Sequence, residues 1–410
     1  MTTAAPTRWR RLGVRTLSAT AVALLAASAL AACGSGKGSS SSSTASAAST
    51  STSTPTTASS SAPSTGGTDA LAATVASQSK PLSSYPVPTQ ALTNVSSLKG
   101  KTVYYIPITQ QAPQFAVTGA ALTTALGAVG IKVQICNGNS NPSSIAACIT
   151  QATGAKAGAI IADSIPYVLS ANAFAAARAK GIPVLITDQI ADATFPANAT
   201  LGYLEGGGAA QLKAVADWII VDSKGKAKVV INESTDSPST QAYVAAAQAE
   251  FTKNCTGCTV AINKISSANF SLIASSTSSK ILKTPGANYV LSEFDQYLQP
   301  TVGGVQQSGK LASVKGASTA AQLSGLQMLK SKNFLYVDAG QASAYQGWAS
   351  ADAALRLMLK QTLPAYTIPI RLFTRDNIST IKATAAAQAT GEWFGPASFT
   401  TKFKTLWGAS

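Results

Sequence analysis

The sequence contains no histidine. That excludes the Ser-His-Asp and Cys-His catalytic constellations, His-ligated zinc and the usual proton shuttle of neutral pH. Charge is scarce as well: Asp, Glu, Lys and Arg make up 11% of the chain, against ~25% in an ordinary soluble domain. Acids are scarcest, 16 against 31 Lys and Arg, for a formal charge of +15. With only five cysteines besides, little remains from which to build a hydrolytic or metal site. Neither enzymatic activity, a cofactor nor a metal is expected. Long hydrophobic runs are also missing. The apolar stretch 21–30 falls well short of the ~20 residues that span a bilayer, and no other run approaches that length. At 410 residues the chain is long for one domain and comfortable for two.

What is present begins with a basic leader. Arg8, Arg10, Arg11 and Arg15 precede the apolar stretch, which ends in Leu30-Ala31-Ala32-Cys33. A positive start, a short apolar middle and small residues before the end describe an export signal over 1–33. The block resembles a bacterial lipoprotein signal with its lipobox, which implies cleavage before Cys33 and diacylation of that thiol. An ordinary secretory signal with a chance cysteine is the alternative. Residues 34–67 are almost entirely Ser, Thr, Ala, Gly and Pro and cannot bury a core. The expectation is a flexible tether over 34–97, open to O-glycosylation.

Four further cysteines, Cys136, Cys148, Cys255 and Cys258, are an even number in an exported chain and read as structural disulfides. Three connectivities are open, and proximity favours Cys136–Cys148 with Cys255–Cys258. Cys255-Thr256-Gly257-Cys258 could instead be a redox or zinc motif. It follows an amphipathic helix rather than a strand, however, and zinc would need all four thiolates to converge.

From residue 98 onward, short β-branched runs alternate with Ala-rich amphipathic stretches. Strands are expected at 102–108, 132–136, 159–162 and 183–187, then at 228–231, 260–265, 289–291 and 311–314. Helices such as 115–129 and 168–180 lie between them. Continuous apolar strands separated by helices mean parallel sheets covered on both faces. So many strands fit two doubly wound α/β lobes better than one, with a break near Gly206-Gly207-Gly208. In such sheets ligands sit beyond the carboxyl ends of the strands. The loops there carry Gln, Asn, Ser, Thr, Phe and Tyr, a mixture suited to a small, largely neutral ligand.

These loops resemble those of the type 1 periplasmic binding proteins, particularly the ribose- and galactose-binding branch that serves sugar importers. The resemblance spans about 98–378. It is carried by Asn139-Ser140-Asn141-Pro142, by Ala159-Ile160-Ile161-Ala162 and by the run Gly181-Ile182-Pro183-Val184-Leu185-Ile186-Thr187-Asp188, with Phe403-Lys404-Thr405-Leu406-Trp407 similar to the family's tail. It implies two lobes on a three-segment hinge: 98–204 plus 342–371 as the N-terminal lobe, and 205–341 plus 372–410 as the C-terminal one. It also implies a monomer anchored outside the cell membrane, closing on a small-molecule ligand, by family precedent a sugar, and handing it to an ABC permease.

Residue by residue, Asp188 matches the family aspartate that takes two sugar hydroxyls, but Gln189 stands where an arginine usually follows. Phe115, after Gln110 and Gln111, matches the first-lobe aromatic, Phe270 the second-lobe aromatic, and Gln341 the hinge glutamine. Glu293-Phe294-Asp295 replaces an Asn-Asp pair, so Phe294 falls where an asparagine would bond hydroxyls and Asp295 keeps the acid. The second-lobe arginine has no counterpart, Gln241 and Tyr243 being nearest, and the late aspartate becomes Ser318. Losing fork-shaped donors and gaining a ring moves the expected preference toward less polar solutes.

Other readings fit less well. A clamp of this kind could present its ligand to a membrane receptor instead of a permease. Glu293 and Asp295 have no proton partner in the sequence that would make them a catalytic pair. A nucleic-acid partner is not expected, because the positive charges are scattered and only Lys224, Lys226 and Lys228 cluster.

Overall fold

The computed structural model describes residues 66–409. The expected export signal with Cys33, and the tether up to residue 65, lie outside the described residues. Among the described residues, β1 (Thr102–Pro107), β2 (Lys132–Ile135), β3 (Ala159–Asp163), β4 (Val184–Thr187) and β5 (Leu201–Leu204) form a parallel sheet in the order β2-β1-β3-β4-β5. A second sheet holds β6 (Lys228–Ser234), β7 (Thr259–Ile265), β8 (Tyr289–Ser292), β9 (Lys315–Thr319), β10 (Leu335–Gln341) and β11 (Ile370–Thr374), in the order β11-β10-β9-β8-β6-β7. Only its edge strand β11 runs antiparallel.

The helices are α1 (Gly66–Gln78), α2 (Pro113–Gly127), α3 (Pro142–Gly154), α4 (Ala171–Ala179), α5 (Gly208–Asp222), α6 (Pro238–Asn254), α7 (Ile273–Leu282), α8 (Leu298–Gln307), α9 (Leu323–Lys330), α10 (Ser343–Met358), α11 (Ala385–Thr390) and α12 (Phe399–Leu406). Their starts follow local chemistry. Asn141 accepts from the amides of Ser143 and Ser144 with Pro142 as first helical residue, and Ser237 and Pro238 repeat the device at α6. A side-chain acceptor satisfies the free amides of the first turn, and proline loses no hydrogen bond there.

Both faces of each sheet are covered. Val229 and Ile231 turn to α5 and α6, whereas Val230 and Val290 join the core that includes Ile281 of α7 and Leu298 of α8. This alternation across one strand is the two-sided burial that the continuous apolar runs require. The two disulfides are Cys136–Cys148, tying the end of β2 to α3, and Cys255–Cys258, closing the turn between α6 and β7.

Four expectations are corrected. First, the tether expected over 34–97 does not extend through 66–97. α1 packs on α5, the segment after it is pinned by Leu82 N–H donating to Phe394 O and Leu92 N–H to Leu406 O, and Tyr85, Leu92, Val95 and Leu98 are buried in the core. Apolar anchors spaced along a polar segment suffice to bind it down. Second, 311–314 is not a strand; the chain pairs only from Lys315. Third, β5, β10 and β11 were not among the expected strands.

Fourth, the C-terminal tail does not keep to the second sheet. α11 packs on α2 and α12 on α10, where Trp348 and Trp407 stack at 5.6 Å between ring centroids. α10 itself covers β3, β4 and β5 and is buried on nearly every side. The apolar stripe of α12, with Phe399 and Phe403 buried against Tyr345 and Trp348, explains the capture.

Candidate ligand-binding site

The carboxyl ends of the two sheets meet around Asp188. It follows β4 in the left-handed region, at φ 55°, a conformation aspartate tolerates better than most residues. Its carboxylate is gripped by two amides. Gln341 Nε2 donates to Oδ1 at 3.0 Å and Gln346 Nε2 donates to Oδ2 at 2.9 Å. Gln341 Oε1 in turn accepts from Gly207 N–H at 2.6 Å. The glycine run makes this possible. A Cβ on Gly206 would lie 1.8 Å from Asp188 Oδ1, and one on Gly208 2.4 Å from the Tyr243 ring. Only glycine lets the backbone pass that closely.

Contacts from opposite sheets close over this point. Tyr243 of α6 donates its hydroxyl to Asp188 O at 3.2 Å, Ser239 donates to Gln189 Oε1 at 2.8 Å, and Gln322 Nε2 donates to Gln114 Oε1 at 3.1 Å. The set is rich in amide and hydroxyl groups that can both give and take hydrogen bonds, which is what a hydroxyl-bearing ligand needs.

Beneath Asp188 lies Asp163, fully buried at the end of β3. Tyr105 donates its hydroxyl to Asp163 Oδ2 at 2.5 Å, while Oδ1 has no protein donor. Burial, and then the neighbouring Asp188 carboxylate, hold the Asp163 carboxyl well above the usual range. Burial and the adjacent carboxylate thus favour the protonated form of Asp163. The second sheet repeats the arrangement. Asp295 takes hydrogen bonds from Ser318 Oγ at 2.5 Å and Gln322 N–H at 2.7 Å, beside buried Asp338. Burial pushes Asp295 up to about 6, and burial and Asp295 together raise Asp338 well above the usual range. Glu293, also buried, accepts from Ser234 N–H at 2.6 Å and is raised by burial first.

The expected site residues separate into groups. Asp188, Gln189 and Gln341 come together. Gln110 and Gln111 lie exposed on the loop after β1, and Phe115 is buried in the first turn of α2. Phe270 and Phe294 flank Tyr297, with ring centroids 6.4 and 6.3 Å away. Phe270 remains 47% exposed, and Tyr297 donates its hydroxyl to Asp236 at 3.0 Å. Asp295 is a correction: its carboxylate is spent inside the second sheet on Ser318 and the backbone of Gln322. Sequence reasoning missed Gln346, Asp163 and Tyr297. Gln346 lies five residues past Gln341, in the first turns of α10, and Asp163 closes an apolar strand, so position alone was the available signal.

This two-sheet architecture, with its cluster of polar groups at the carboxyl ends of the strands, is the fold of the type 1 periplasmic binding proteins. Comparison with solved structures agrees. The chain is similar to the 5-methylthioribose transporter solute binding protein of Thermotoga lettingae, at 18% identity and TM-score 0.62 over 75% of this chain and 97% of that one. It is similar to a glucose-galactose binding protein from Geobacillus stearothermophilus, at 14% identity and TM-score 0.60 over 68% and 99%. It is also similar to the Caulobacter myo-inositol binding protein, at 17% identity and TM-score 0.59 over 69% and 96%. No protein-family model matches the chain, and no curated protein matches it.

Proposed function

We propose that the protein is the extracytoplasmic solute-binding lipoprotein of an ABC importer, held to the membrane through Cys33, whose lobes close on one small hydroxyl-bearing ligand. The observation that carries this reading is Asp188 at the meeting of both sheets, held by the amides of Gln341 and Gln346. Two ligand hydroxyls can replace those amide hydrogens when the lobes part and re-close. The neighbours' ligands, 5-methylthioribose and myo-inositol among them, are consistent with it. Among the described residues no helix is long and apolar enough to cross a membrane.

A second reading concerns ligand type. Phe270, half exposed beside Phe294 and Tyr297, offers ring faces where hydroxyl readers are missing, and this favours a solute with an aromatic or apolar portion.

Thermal shift on the full chain, disulfides intact, tests both. Pentoses, hexoses, polyols and small aromatic or apolar solutes are each added well above the expected dissociation constant. A ligand at ~100-fold over that constant adds about 2.7 kcal/mol, enough to move Tm by a few degrees. Shifts confined to sugars or polyols support the first reading, and shifts confined to apolar solutes support the second. No shift across the panel rejects both.

A further inference from the structure

A cavity of about 680 Å³ lies between residues 79–81, β11 and the segment 377–393, and none of its lining residues belongs to the Asp188 cluster. Its wall contains Arg371, which is 3% exposed. Buried arginines normally face a carboxylate, because an unpaired buried charge is costly. Arg371 faces none. Its Nη1 donates to the carbonyl oxygen of Trp393 and its Nε to that of Ser79 at 3.2 Å. The second terminal nitrogen, Nη2, makes no hydrogen bond and is not sealed from solvent. Desolvation lowers the Arg371 pKa, so the site gains from a counter-charge.

Lys80 and Lys382 line the same cavity, and neither is in an ion pair. Glu392 is the one acid in the wall, and it pairs with none of the three cations. Thr380 donates its hydroxyl to Asn377 O at 2.7 Å, and Pro81 and Trp393 add apolar surface. The walls are fixed: Asn377 donates to Ser79 O at 3.0 Å, and Trp393 Nε1 donates to Lys382 O at 2.6 Å.

We propose that this cavity is a binding site for a small, multiply charged oxyanion of the phosphate-ester type, separate from the ligand site at Asp188. The free edge of the guanidinium takes one oxygen, the two flexible ammonium groups close on the others, and the apolar wall receives the organic body. Planar guanidinium groups and mobile ammonium groups are the side chains that suit phosphate oxygens.

Titration calorimetry on the full chain in low-salt buffer tests this, with inorganic pyrophosphate as probe. Saturable one-to-one binding is expected. It should weaken at least ~10-fold in the double variant Lys80→Gln, Lys382→Gln, whose changes lie on exposed side chains and spare the fold. Arg371→Lys, which keeps charge and loses the fork, should weaken it as well. Asp188→Ala should leave it intact. The proposal is overturned if pyrophosphate gives no saturable heat, if the double lysine variant binds as the parent does, or if Asp188→Ala removes the binding. Sugar-induced thermal shifts that survive in the lysine variant keep the two sites distinct.

Discussion

Replacing Asp163 by asparagine keeps the shape of a buried carboxyl and removes its proton equilibrium. In the folded protein Asp163 holds its proton far above the range where a free aspartate would, because it is fully buried against Asp188. In the unfolded chain the same group ionises near pH ~4. The native state therefore binds one more proton than the unfolded state. That contribution is complete below the unfolded pKa, and it falls by about 1.4 kcal/mol for each pH unit above it until the native carboxyl ionises.

Asparagine keeps the shape and still accepts from Tyr105, so at pH ~4 the variant and parent should be nearly equal. Above pH ~4 the variant should gain on the parent by about 1.4 kcal/mol per pH unit for as long as native Asp163 keeps its proton. Thermal unfolding of both chains across that pH range measures the difference directly. Asp295, Asp338 and Glu293 tilt both curves the same way, so the diagnostic is the gap between them. Curves that stay parallel from pH ~5 to pH ~7 would show that Asp163 ionises normally and that burial beside Asp188 does not hold its proton.

Three further outcomes are expected. Asp188→Ala should cut affinity for the cleft ligand by at least ~10-fold while leaving the amides of Gln341 and Gln346 short of an acceptor, at about 1–3 kcal/mol of stability; calorimetry and melting curves read the two effects separately. Serine replacements at Cys136 and Cys148 should cost about 3 kcal/mol, and those at Cys255 and Cys258, with a much shorter loop, about 2 kcal/mol; equal losses from the two pairs would contradict the loop-entropy account. Deleting residues 66–98 removes Tyr85, Leu92, Val95 and Leu98 from the core, at ~1.5–3 kcal/mol for each large apolar side chain, which is comparable to an entire folding free energy. The truncated chain should lose its cooperative melt, and a sharp transition at the parent's Tm would mean the segment is dispensable.

The sheets were legible where burial and β-branching coincide, as in Ala159-Ile160-Ile161-Ala162 and Val184-Leu185-Ile186. They were illegible where neighbours, not composition, make the strand. Lys315-Gly316-Ala317-Ser318-Thr319 looks less strand-like than the Leu-Ala-Ser-Val before it, yet it pairs with β8 and β10 on both sides. β10 carries Asp338 and Gly340, and β11 carries Arg371. Buried polar partners and the sheet position overrode propensity in both.

At the site, Asp188 and Gln341 were reached through resemblance, and the glycine run as a break in the pattern. The proton of Asp163 and the grip of Gln346, whose amide crosses 158 positions to reach Asp188, are products of folding that no local pattern encodes. The segment 79–98 misled because proline and serine dominate its look while four apolar side chains decide its fate.

That segment changes the mechanics of the clamp. Leu82 is fastened to Phe394, which packs on Phe373 of the second sheet, while Tyr85 stacks on Tyr345 of α10 over the first. Only Ser83 and Ser84 lie between these anchorages. Nearby, the tail steps from Phe394 to Phe399, which also sits on Tyr345. Two short straps thus span the joint beside the three segments that connect the sheets in the chain. Straps this short span at most ~3.5 Å per residue even when fully extended, so they act as check-reins. If the lobes part as proposed, the straps would set the axis close to Ser83 and Ser84 and leave the side facing away from them as the one free to open.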